Sequence, residues 1–127
     1  MNSAILLVDD NAIQATTRKA ILERASRTVM VATDGQAAIN LLAKVEPPHS
    51  IALIVTDHLM PGMNGPELVR EVRRSGLTMP IVVLSGLPDA ESAYEGLDVT
   101  FRLKPFPPDS LIALVQDLLG QRMPRTA

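Results

Sequence analysis

Apolar positions fall into two kinds of run along this chain. One kind is short and apolar almost without interruption. The other is longer, with apolar residues recurring every three or four positions. The short runs are Ala4-Ile5-Leu6-Leu7-Val8, Thr28-Val29-Met30-Val31-Ala32, Ile51-Ala52-Leu53-Ile54-Val55-Thr56, Ile81-Val82-Val83-Leu84-Ser85 and Val99-Thr100-Phe101-Arg102-Leu103. Their length and β-branched content read as strands. The first, third and fourth are apolar nearly throughout, as strands buried on both faces should be. The fifth alternates with polar residues, as at a sheet edge.

The longer segments predict helices. After Asp9-Asp10-Asn11, the positions Ile13, Ala20, Ile21, Leu22 and Ala25 suggest one buried face, capped by Asn11 or Asp10. Asp34-Gly35 turns into a helix carrying Ala37, Ala38, Leu41, Leu42 and Val45, which the Glu46-Pro47-Pro48-His49-Ser50 stretch ends. Asn64-Gly65-Pro66-Glu67 opens a third helix with a cap, an early proline and an acid at the positive dipole end. Leu68, Val69 and Val72 are its core stripe, and Gly76 its stop. Pro88 to Tyr94 allows only a short helix, halted near Gly96. Pro108 to Leu119 is the last, with Leu111, Ile112, Leu114, Val115, Leu118 and Leu119 buried and Gly120 ending it.

Five strands alternating with five helices predict an α/β fold with a parallel sheet covered on both faces. Right-handed crossovers leave few topologies. The flavodoxin-like, doubly wound order 2-1-3-4-5 puts the first, third and fourth strands in the middle, where their apolar runs belong. We expect one domain over 1–120 and a tail or linker start over 121–127.

Composition narrows the function. The chain has 127 residues, enough for one core, and 46% hydrophobic content to fill it. Aromatic residues are only 2%, so stacking on single-stranded nucleic acid is unsupported. A net charge of -2 gives no basis for a nucleic-acid or membrane surface. Without cysteine, disulfides and thiolate chemistry are excluded. No apolar run reaches the roughly 20 residues of a membrane span, and a cytoplasmic setting is expected.

In a sheet of that order, the carboxyl ends of four strands converge, carrying Asp9-Asp10, Asp57, Ser85 and Lys104. Asp57 lies at the centre, between a buried strand and the turn-rich His58-Leu59-Met60-Pro61-Gly62-Met63-Asn64-Gly65. Each residue has a commoner structural role: an acid pair caps a helix, a serine ends a strand, a lysine stays solvated. What argues otherwise is that each falls at a different strand end on one edge. Three carboxylates this close repel unless a cation neutralises them. Oxygen ligands without Cys or His suit Mg²⁺. A carboxylate held there can act as nucleophile toward a phosphoryl group, with Ser85 and Lys104 contacting its oxygens.

These residues bring a family into view. The chain resembles a receiver domain of two-component response regulators over nearly its whole length. The resemblance is carried by Ile5-Leu6-Leu7-Val8-Asp9-Asp10-Asn11, Asp34-Gly35, Thr56-Asp57 through Gly65, Leu84-Ser85-Gly86 and Lys104-Pro105-Phe106. It implies that Asp57 accepts phosphate from a histidine kinase or phosphotransfer protein, for relay to an output partner protein. It implies that Asp9, Asp10, Asp57 and the Leu59 backbone carbonyl hold Mg²⁺, for which Mn²⁺ can substitute. By the same resemblance, Ser85 is the switch hydroxyl, Phe101 is the aromatic that turns inward, and Lys104-Pro105 is a cis peptide. No separate substrate is expected; the domain would hydrolyse its own aspartyl phosphate slowly.

The chain also departs from the family pattern. Ser85 and Lys104 are 19 positions apart, about three fewer than the resemblance leads us to expect, or roughly one helical turn lost between them. Gly96-Leu97-Asp98-Val99 replaces the usual Gly-Ala pair, which puts the partner surface of that region in question. Leu59 and Leu87 flank the approach to Asp57 without a polar group to orient water. The chain reads either as a stand-alone regulator or as a receiver from a longer protein such as a hybrid kinase. Three rival readings fit the residues less well. A haloacid-dehalogenase-like aspartyl-phosphate phosphatase needs an acid where Leu59 stands. A flavodoxin-like binding module needs a phosphate-cradling loop where two aspartates stand. A degenerate receiver acting by protein binding sits poorly with an intact acid set.

Overall fold

The computed structural model describes residues 4–25, 28–44 and 51–121. Five parallel strands form one sheet: β1 (Ala4–Val8), β2 (Thr28–Ala32), β3 (Ile51–Asp57), β4 (Ile81–Ser85) and β5 (Thr100–Leu103), in the order β2-β1-β3-β4-β5. The α-helices are α1 (Ala12–Leu22), α2 (Gly35–Lys44), α3 (Gly65–Arg74) and α4 (Pro108–Gln121). The flavodoxin-like order and its central trio of apolar strands are as the sequence implied. Among the described residues, no helix is long and apolar enough to cross a membrane.

Strand pleat sorts the apolar residues into two cores. Leu6, Val8, Ile54 and Val83 face α2 and α3, packing with Ala38, Leu68, Val69 and Val72. Ile5, Leu7, Leu53, Val55, Val82 and Leu84 face α1 and α4, packing with Ala15, Leu22, Leu111 and Val115. The odd-numbered series of β1 and β3 runs on toward Asp9 and Asp57. The pleat therefore delivers both acids to the side of the sheet that α1 covers.

Register brings the strand ends level. Val8 pairs with Thr56, Asp57 with Leu84, and Ser85 with Leu103. A shift between Ala4 and Ile5 absorbs one extra residue of β3, well away from that end.

Helix boundaries follow local chemistry. Asn11 caps α1 by accepting from the Gln14 N–H at 2.9 Å. Asn64 and Glu67 form a reciprocal capping box at the start of α3, each side chain accepting from the other's backbone N–H at 2.9 Å. Gly76, just past α3, takes φ +87°, which only glycine adopts at no steric cost.

Three expectations are corrected, and a fourth, the short helix after β4, is borne out with its type now given. The buried face of α1 is set by Ala15 and Leu22, whereas Ile13 is 82% exposed and Ala20 is also exposed. Ile13 is two residues from Ala15, about 200° around the helix, and cannot share its face. The expected short helix after β4 is a 3₁₀ helix, Pro88–Tyr94, without a side-chain cap. The last helix runs through Gly120 to Gln121, since one glycine weakens a helix by only about 1 kcal/mol and does not by itself end it. β5 starts at Thr100, because Asp98 before it adopts φ 55° and breaks the extended path. Val45, the 46–50 loop and residues 122–127 of the tail lie outside the described residues.

Candidate functional site

The loops after β1, β3, β4 and β5 meet above the sheet. Asp9 follows β1, Asp57 closes β3, Ser85 closes β4 and Lys104 follows β5. One carboxylate oxygen from each of Asp9, Asp10 and Asp57 lies within 4.8 Å of the others. Asp9 and Asp57 are buried, whereas Asp10 is exposed at the rim. Lys104 Nζ is 2.9 Å from Asp57 Oδ1, and its backbone N–H donates to the Ser85 carbonyl at 2.8 Å. The Lys104-Pro105 peptide is cis.

One member of the site was not legible in the motifs. Arg18, on α1, places Nη1 3.0 Å from Asp9 Oδ2 and 2.9 Å from Asp57 Oδ1. A single nitrogen thus ties two buried carboxylates together. The signal was present in the spacing. Positions 15, 18 and 22 share one helical face, and two of them are the buried Ala15 and Leu22. A charged residue on a buried stripe is expected to have a buried partner.

The electrostatics remain unbalanced. Three carboxylates face two cations, Arg18 and Lys104. Burial, reinforced by the neighbouring Asp57, pushes the Asp9 carboxyl up to about 6, against the pull of the Asn11 N–H and of Arg18. Asp9 Oδ1 accepts from that N–H at 2.9 Å. Excess negative charge, oxygen-only donors and close spacing together suit a hard divalent cation.

Other expected residues stand back from Asp57. The Ser85 hydroxyl accepts from the Leu87 N–H at 2.9 Å and donates to the Leu87 carbonyl at 3.3 Å, holding its own loop. Leu59 and Leu87 are exposed, at 66% and 48%. Phe101 is half-buried and lies against Tyr94, with centroids 6.1 Å apart and planes at 48°. Tyr94 is buried, and its hydroxyl shares a 2.7 Å hydrogen bond with His58 Nδ1. Burial raises the Tyr94 phenol and lowers the His58 imidazole, so both stay neutral near pH 7. Gly65 makes this possible: a Cβ there would collide with the Tyr94 hydroxyl.

The profile of the response regulator receiver domain family matches residues 5–116. This chain belongs to that family. Curated relatives of the receiver include the transcriptional regulatory protein FixJ of Bradyrhizobium diazoefficiens, 30% identical over 123 residues, covering 94% of this chain and 58% of that protein. The alkaline phosphatase synthesis transcriptional regulatory protein PhoP of Bacillus subtilis is 33% identical over 122 residues, covering 94% of this chain and 49% of that one. The receiver spans about half the length of the curated relatives it matches. Among solved structures, chemotaxis protein CheY4 of Vibrio cholerae superposes with TM-score 0.81 at 27% identity, covering 93% of this receiver and 99% of that chain. A receiver protein from Sinorhizobium medicae gives 0.82 at 32% identity, covering 96% and 98%.

Proposed function

We infer that this receiver domain is a phosphorylation-operated signalling module whose phospho-acceptor is Asp57. A phosphohistidine of a histidine kinase or phosphotransfer protein supplies the group. The Asp57 carboxylate attacks phosphorus, the N–P bond breaks, and the freed imidazole takes up a proton. Asp9, Asp10, Asp57 and the Leu59 carbonyl are the residues that would hold Mg²⁺ or Mn²⁺, which when bound neutralises charge on the transferring group. Lys104, with its ammonium 2.9 Å from Asp57 Oδ1, would offer a positioned cation to the phosphoryl oxygens. Ser85, at the end of the strand beside Asp57, would exchange its Leu87 contacts for a bond to the acyl phosphate, and Phe101 is the aromatic expected to follow it inward.

One observation carries the reading. The central acid is buried within a three-carboxylate group and has a lysine ammonium 2.9 Å from its Oδ1. The test is incubation with a small phosphodonor and Mg²⁺, followed by intact mass measurement. One added phosphoryl group is expected in the natural chain and none in Asp57→Asn. Failure of the natural chain to take up phosphate would favour a receiver that works by protein contact alone.

A further inference from the structure

Arg18 already supplies a cation where the acids converge. Its Nη1 bridges Asp9 Oδ2 and Asp57 Oδ1, at 3.0 and 2.9 Å. Its side chain is only 14% exposed, so this pairing is shielded from solvent rather than formed on the surface. On Asp9 both oxygens are in use, Oδ1 by the Asn11 N–H and Oδ2 by Arg18. An ion that recruits Asp9 therefore meets an oxygen that the guanidinium holds. Two like charges within a few Å of each other in a partly dry site repel strongly. Charge count points the same way, since a divalent ion offsets two of the three carboxylates and the guanidinium only one.

The fold also provides a second place for the side chain. A cavity of about 420 Å³ opens between α1 and the segment leading into α4, with Arg18 on its wall beside Gln14, Thr17, Phe106 and Pro108. There a displaced guanidinium would lie among water, Gln14 and Phe106.

We propose that Arg18 is a resident counter-ion which a divalent cation must displace, so that Arg18 sets the Mg²⁺ concentration at which the site loads. The proposal rests on the metal-dependent reading given above. Arg18 is a positioning residue here: it acts through Asp9 and Asp57 rather than on the phosphoryl group. While it bridges the acids, only the minor fraction of molecules with the bridge open is ready for metal. Apparent affinity falls by that fraction.

Calorimetric titration of MgCl₂ into the natural chain and into Arg18→Ala, at fixed ionic strength and without phosphodonor, tests this. If the bridge is closed nine times in ten, Arg18→Ala should bind Mg²⁺ about tenfold more tightly. Its thermal midpoint should be lower than that of the natural chain in a chelator and should gain more from saturating Mg²⁺. Arg18→Gln carries the same expectation with better retained packing, should the alanine variant fail to fold without metal. Equal or weaker Mg²⁺ binding in a folded variant would overturn the role of Arg18 alone. No Mg²⁺ uptake by any form would remove the metal reading together with this one.

Discussion

Asp9 shows how burial of one carboxyl shapes the chemistry around it. Its folded pKa of about 6 lies above the ordinary 3.8, so between those values the folded chain binds more protons than the unfolded one. In that window this group makes stability fall as pH rises. Urea midpoints in a chelator should therefore decline from this source between about pH 4 and pH 6, and Asp9→Asn should flatten that part of the slope. The same proton competes with a cation, which needs the carboxylate. Mg²⁺ affinity should weaken as pH drops through about 6, and titration at pH 5.5 against pH 7.5 checks it. Leu59 makes a separate point. An exposed apolar side chain cannot orient water for attack on an acyl phosphate. The phosphorylated chain should keep its label for minutes or longer, and Leu59→Gln should shorten that lifetime. A half-life of seconds in the natural chain would contradict this.

At the scale of elements, the segment between β4 and β5 is the least regular of the connections described. It holds a 3₁₀ helix of seven residues and a connection containing Asp98 at φ 55°. A side chain from α3 braces that connection. Arg73 donates to the carbonyls of Leu77, Met79, Leu97 and Asp98 at 2.8–3.0 Å, tying the approaches to β4 and β5 together. Hydrogen bonds from a charged donor stabilise more than neutral ones, and their loss leaves partly buried carbonyls unpaired. Arg73→Ala should cost about 3 kcal/mol in denaturant unfolding, and Arg73→Lys should recover little of it, since an ammonium cannot span four acceptors. Sequence reasoning located the short helix because Pro88 and Gly96 bound it along the chain. It missed the brace because Arg73 reads only as a favourable cation in the last turn of α3, and its four partners lie up to 25 residues away.

For the whole molecule, the central places of β1, β3 and β4 and the meeting of Asp9, Asp10, Asp57 and Lys104 were legible from which runs were uniformly apolar and what ended them, while the full strand order was that of a known fold. Arg18 and Tyr94 were not. Both work across elements, and nothing local distinguishes a bridging arginine from a solvated one. Helix faces were read less well than strands, as Ile13 illustrates, because apolar residues on a short amphipathic helix need not all face inward. If the site loads Mg²⁺, the folded state gains by mass action. At a concentration one hundred times the dissociation constant the gain is about 2.7 kcal/mol. A thermal melt should then rise by roughly 10 °C for a domain of this size, and the rise should vanish with a chelator.

The missing Cβ of Gly65 has a consequence that reaches to the far edge of the sheet. It lets a buried phenol grip the residue directly after Asp57, and the same ring leans on Phe101 in β5. Tyr94→Phe would cut the grip and keep the lean, so the Phe101 ring resonances should cease to respond when Asp57 is modified. A linked pair of rings thus runs from the residue beside the central acid to the edge strand of the sheet.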